Sequence, residues 1–127
     1  MGHCLLGLAA ARRGGLNPAV RPLIQEIATA LTPEPLVEQL AERRGVVLLR
    51  SAGFDSAQAR YSFVAARPFL TFRSFGSQCE IVSHGRTRLQ FGNPWHLLDV
   101  LMARYELLDE IDLPFPLGGC FGYWGTT

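Results

Sequence analysis

Apolar and polar positions alternate with a period of two through much of residues 60–91, and glycine, proline or serine interrupts the pattern at short intervals. This is the signature of short strands joined by tight turns. Arg60–Ala66 sets Tyr61, Phe63 and Ala65 against Ser62 and Val64, and Pro68 ends it. Phe69–Phe75 follows, and Gly76-Ser77 turns the chain into Gln78–Ser83, with Cys79 and Ile81 inward and Gln78 and Glu80 outward. His84-Gly85 makes a second tight turn into Arg86–Phe91, where Thr87, Leu89 and Phe91 alternate with Arg86, Arg88 and Gln90. The pattern predicts an antiparallel meander with one wet face.

Helical spacing brackets the meander. Thr32-Pro33 suits an N-cap and first helical position. Leu36, Val37, Leu40 and Ala41 then share a face opposite Glu38, Glu42 and Arg43, predicting about three turns closed by Gly45. Val46–Leu49 is a continuous apolar run too short for another helix; it predicts a buried strand that delivers Arg50-Ser51 to its end, before a loop over Gly53–Ala57. Asn93-Pro94 opens a second helix, with Leu97, Leu98, Leu101, Met102, Tyr105 and Leu108 as its apolar stripe and Asp109, Glu110 and Asp112 at a solvated end. Leu113–Gly125 alternates small and aromatic residues after two prolines, as in a strand whose glycines admit a close neighbour. Pro18 and Pro22 precede Leu23, Ile24, Ile27 and Leu31, a stretch open to an extended or a helical-turn reading. At the start, Cys4–Ala11 resembles a signal-peptide core, but Arg12-Arg13 follow it rather than precede it, the wrong polarity for secretion. Residues 1–19 are expected to be a disordered extension that adds nothing to the fold.

Composition narrows the chemistry. The 127 residues are 48 % hydrophobic and 18 % charged, as in a globular chain, and the net charge of +1 suggests neither nucleic acid nor an anionic membrane as a partner. All 12 basic residues are arginine, which rules out a Schiff-base lysine or a Walker-type lysine within the chain. Cys4, Cys79 and Cys120 are widely spaced and His3, His84 and His96 do not sit at metal-ligand distance around them, so reduced thiols in a cytoplasmic protein are expected, with Cys79 and Cys120 filling the core. Ser51 lacks a nucleophile elbow, the glycines of residues 118–125 lack nucleotide-loop order, and the acidic residues of 109–112 read as a helix end. Arginines interleaved with aromatics from Arg60 to Arg73 fit a sheet with aromatics inward and arginines in water better than an RNA platform. No self-sufficient catalytic site is expected.

Three segments carry a resemblance: Val47-Leu48-Leu49-Arg50-Ser51-Ala52-Gly53, Ala59-Arg60-Tyr61-Ser62-Phe63-Val64-Ala65-Ala66-Arg67-Pro68, and the tail from Leu113 to Gly125. Together they resemble the N-terminal domain of component I of the chorismate-aminating enzymes, aminodeoxychorismate synthase and anthranilate synthase, over residues 20–125. The resemblance implies an α+β fold in which an antiparallel β-sheet, part of a two-sheet sandwich, has flanking helices. It also implies an incomplete domain, with the chorismate-binding catalytic domain and its Mg²⁺ absent, and a glutamine amidotransferase partner supplying ammonia to the full-length enzyme. Family members bind tryptophan beside the strands that match Ser51, Arg60 and Tyr61, as a feedback inhibitor in anthranilate synthases and as a structural ligand in some aminodeoxychorismate synthases. A serine at a strand end can hydrogen-bond an amino acid's charged groups, and an aromatic can cover an indole. Arg50 stands where anthranilate synthases usually carry glutamate, and Gly125-Thr126-Thr127 stands where the family continues glycine–tyrosine–aspartate. The expectation is therefore an N-terminal fragment of aminodeoxychorismate synthase component I, serving folate and p-aminobenzoate synthesis and not catalytic alone. The alternatives are an anthranilate synthase component I fragment or a free-standing tryptophan-binding regulatory module.

Overall fold

The structure, a computed structural model, describes residues 2–7, 23–50, 61–106 and 112–125. It divides into two compact units, one formed by Met1–Ile24 with Phe69–Thr127 and the other by Gln25–Pro68. The α+β expectation holds: the described residues form antiparallel sheets flanked by helices.

The larger unit is built on β4 (Leu70–Phe75), β5 (Gln78–Ser83) and β6 (Arg86–Phe91), the meander that the alternation predicts. Its turns contain two residues each. Gly76 has φ +58°, and both His84 and Gly85 have positive φ, at 52° and 73°. Positive φ at the first or at both central residues bends a hairpin in the sense of the strand twist, and glycine adopts it without steric cost. These turns set the register, pairing Phe75 with Gln78 and Ser83 with Arg86.

Register decides which side chains share a face. Leu70, Phe72 and Ser74 of β4 lie on one side with Cys79 and Ile81 of β5, and all five are buried. The helix α2 (Pro94–Ala103) closes this side with Leu101, while Leu97, Leu98, Phe69, Tyr105 and Cys120 pack around the cluster. Phe72 and Cys79 are fully buried, and burying such a ring stabilises by about 1.5–3 kcal/mol. Asn93 caps α2, its Oδ1 accepting hydrogen bonds from the backbone N–H groups of Trp95 and His96, with Pro94 at the first helical position. Such a cap is worth about 1 kcal/mol.

The expected order is overturned at four points. First, Gly2–Gly7, placed within a disordered extension, is strand β1 and runs between β4 and β7 (Gly119–Trp124), giving the sheet order β6-β5-β4-β1-β7. Its pairing partners are 64 or more residues away in sequence, so no local pattern announces it. The remainder of the expected extension lies outside the described residues. Second, Leu89 and Phe91 face away from the core: the two-residue turn pairs them with Glu80 and Gln78, on the outer side of β5. Third, α2 ends at Ala103, and Tyr105 reaches the core from the following turn, its ring 4.7 Å from that of Phe69. Leu108, Asp109 and Glu110 lie outside the described residues. Fourth, Cys79 is a free buried thiol, its pKa pushed up by burial, whereas Cys120 is disulfide-bonded instead of reduced. At the end of the sheet Trp124 stacks on Trp95, with ring centroids 4.0 Å apart and planes 23° from parallel.

The smaller unit holds α1 (Pro33–Leu40) and the antiparallel pair β2 (Val47–Arg50) and β3 (Ser62–Ala65). The helix is a turn shorter than expected. Past Leu40 the backbone tightens into i→i+3 hydrogen bonds, from Ala41 N–H to the Glu38 carbonyl and from Arg43 N–H to the Leu40 carbonyl, before Gly45 at φ +63°. Thr32 has the extended backbone of an N-cap but makes no side-chain cap bond. Among the described residues of this unit none is buried, and Leu49 of the expected buried strand is 46 % exposed. Residues 23–31 carry no regular structure, and Leu23 and Ile27 are largely exposed.

Candidate functional site

The pairing of β2 with β3 brings the two resemblance-bearing segments together. Val47, Leu48, Leu49 and Arg50 face Ala65, Val64, Phe63 and Ser62 in turn. Alternation puts Leu49 and Phe63 on one face and Leu48 and Val64 on the other. The pair ends at Arg50 opposite Ser62, directly before Ser51 on one strand and directly after Tyr61 on the other. Tyr61 is 40 % exposed. Ser51 and Arg60 lie outside the described residues, so Tyr61 alone of the three expected ligand residues has a described position.

Glu34 was not singled out in the sequence. It sits in the first turn of α1, and its Oε1 accepts a hydrogen bond from the Arg50 guanidinium, forming an ion pair. The partners are 16 residues apart and both are well exposed, so the pair is screened by water and serves orientation more than stability. The Glu34 carboxyl is held below the ordinary glutamate value. A hydrogen bond to its own backbone is the largest cause, the Arg50 charge and the Thr32 hydroxyl add to it, and partial desolvation opposes them. A depressed folded pKa means that this contribution is present above the unfolded-state value and is lost as pH falls through the lower folded one. A carboxyl-detected NMR titration should find Glu34 titrating below ordinary glutamates. Arg50→Ala should raise the value only part of the way back, because the backbone bond survives; an unmoved value would show that the guanidinium does not act on it.

Among the described residues no group of three or more His, Cys, Asp and Glu side chains could hold a metal ion, and no helix is long and apolar enough to cross a membrane. Tyr61 and the Arg50 partner of Glu34 thus lie at the same end of the β2–β3 pair.

Comparison with known proteins points in one direction. Over 107 residues the chain is 33 % identical to a protein of Bacillus pumilus, the match covering 80 % of this chain and 20 % of that protein. The likeness is to anthranilate synthase component 1. The anthranilate synthase component 1 of Acetivibrio thermocellus is 30 % identical over 106 residues, which is 82 % of this chain and 22 % of the relative. That of Bacillus subtilis (strain 168) is 30 % identical over 105 residues, or 80 % of this chain and 20 % of the relative. The chain thus spans about a fifth of the length of the relatives it matches. No family model matches the chain, and no solved structure matches it. The component I resemblance is supported, but the relatives carry the anthranilate synthase name, not that of aminodeoxychorismate synthase.

Proposed function

We propose that the chain is a region of a chorismate-aminating enzyme of the anthranilate synthase component 1 kind, and that it supplies an amino-acid-binding strand end rather than catalytic residues. The similarity to anthranilate synthase component 1 over four-fifths of the chain carries this reading. The pairing of β2 with β3, which directs Tyr61 to the end that Ser51 follows, fits it. In this reading the whole enzyme aminates chorismate with Mg²⁺, the ammonia coming from a glutamine amidotransferase component, and the metal is held outside this chain. Tryptophan is the ligand of the strand end: Ser51 bonds its charged groups, Tyr61 covers its indole and Arg60 faces its carboxylate.

The aminodeoxychorismate synthase reading rests on Arg50. The ion pair with Glu34 gives that arginine a local reason, so its presence need not report the reaction catalysed. The test is a chimera in which this chain replaces the matching region of the Bacillus pumilus relative. Supplied with chorismate, Mg²⁺ and ammonia, it should form fluorescent anthranilate, and tryptophan should inhibit it. Ser51→Ala should relieve that inhibition while activity remains. A folded chimera that forms no aminated product counts against the reading of the chain as a component 1 region. Activity indifferent to tryptophan removes the strand-end site.

A further inference from the structure

The turn into β2 and the end of β3 meet at the end of the β2–β3 pair that lies away from Tyr61. There the backbone N–H of Arg67 donates to the Arg44 carbonyl at 2.9 Å, which sets Arg67 beside Arg43-Arg44. All three arginines are exposed. Among the described residues none of them has an ion-pair partner, whereas Arg50 of the same unit is held by Glu34. Arg67 also occupies a backbone conformation that resists it. Its φ is +56°, in the left-handed region, and Pro68 follows, which pushes the residue before it towards extended backbone. The facing turn meets the same demand with a glycine, Gly45 at φ +63°. A long cation kept at a strained position that glycine would relieve points to a role for its side chain.

We propose that this arginine end is a docking surface for an acidic segment of a partner protein, whose carboxylates Arg43, Arg44 and Arg67 hold. A guanidinium is planar, stays charged and donates in a fork that matches a carboxylate two bonds at a time. Glu42 is the one acidic residue in the turn, so the three arginines leave a local excess of positive charge. Charge complementarity fixes the sign of the partner. Its class follows from the size of the patch. Nucleic acid and anionic membranes reward basic charge spread over a whole face, whereas this chain has a net charge of +1 and these arginines occupy one turn and one strand end. A short run of Asp and Glu side chains fits that footprint. Exposed charge contacts of this kind set recognition and association rate more than affinity, so the complex is weak and salt-sensitive. This inference stands on the arginines alone and is independent of the proposed enzymatic role.

An NMR titration of the full chain with a blocked hexapeptide of alternating Asp and Glu decides it. At about 20 mM salt the side-chain Nε–H signals of Arg43, Arg44 and Arg67 should shift with the peptide, while those of Arg86 and Arg88 on β6 stay in place. Arg67→Gly separates the side chain from the fold. Glycine adopts the positive φ without cost, so the variant should resist urea at least as well as the parent, yet bind the peptide about fivefold more weakly. Arg44→Gln keeps the carbonyl that accepts the Arg67 bond and should weaken binding by a similar factor. A peptide that shifts none of the three arginines overturns the proposal, as does one that moves Arg86 and Arg88 equally. So does binding that either substitution leaves unchanged. An oligothymidylate with six phosphates that binds more tightly than the peptide overturns it as well, because the surface would then be reading phosphate.

Discussion

Phe72→Ala is expected to lower the stability of the five-stranded unit by about 3–5 kcal/mol, the range for removing a fully buried aromatic ring. Phe72 has no exposed surface and lies among Leu70, Cys79, Ile81 and Leu101. The alanine would leave a cavity that its neighbours fill only in part, because three of them are on strands whose hydrogen-bond register holds them in place. Against a total of about 5–15 kcal/mol for an ordinary domain, such a loss shifts the unfolding midpoint far enough for urea titration to read directly. Phe91→Ala is the matched control. It removes the same ring from the same sheet, but from the outer face, where it is 72 % exposed, and should change stability by no more than about 0.5 kcal/mol. Equal losses for the two variants would show that the sheet is not packed on the side where the register places its core.

The meander was legible because its information is local. Period-two alternation and two-residue turns lie within a few residues of the strands they join, and β5 and β6 fall on their expected residues. The facing of Leu89 and Phe91 was legible too, but from the turn and not from the alternation. Once His84-Gly85 joins Ser83 to Arg86, parity alone carries Arg88 to the core side beside Ile81 and Leu89 to the outer side beside Glu80. Apolar alternation says that a strand has two faces; the loop says which face is which. Strand β1 was not legible. Gly2–Gly7 has no alternation and no flanking turn signal, and its place between β4 and β7 is determined by distant strands whose backbone groups need partners. The same non-locality explains α1. The helical spacing continues through Ala41 and Glu42, but the chain turns early to reach β2.

The candidate site divides in a similar way. That a serine-ended strand and an arginine–tyrosine strand belong together came from the resemblance, and their antiparallel pairing supplies the physical reason. The Glu34–Arg50 contact could not be read from the sequence, since it joins a helix start to a strand end 16 positions away. It changes the meaning of Arg50. A charge held by a neighbouring carboxylate is weaker testimony about a reaction than one pointed at a substrate, which is why the relatives' names outweigh it.

Leu101→Ala should have the second-largest effect, a loss of about 2–5 kcal/mol, with a spectroscopic consequence that Phe72→Ala does not isolate. Leu101 is the one buried residue of α2, at 6 % exposure. A ten-residue helix is marginal by itself, so α2 owes most of its order to the apolar face it lays on the sheet. Loss of Leu101 therefore weakens the docking of the whole helix, including its first turn, where Trp95 stacks on Trp124. Two indoles in such contact couple electronically, and near-UV circular dichroism should report their separation on warming before the sheet melts. Val100→Ala, next along the helix but 39 % exposed, exchanges a β-branched residue for a better helix former and should leave both signals nearly unchanged. If the two substitutions behaved alike, the helix would be held by its cap and its tryptophan rather than by the contact at Leu101.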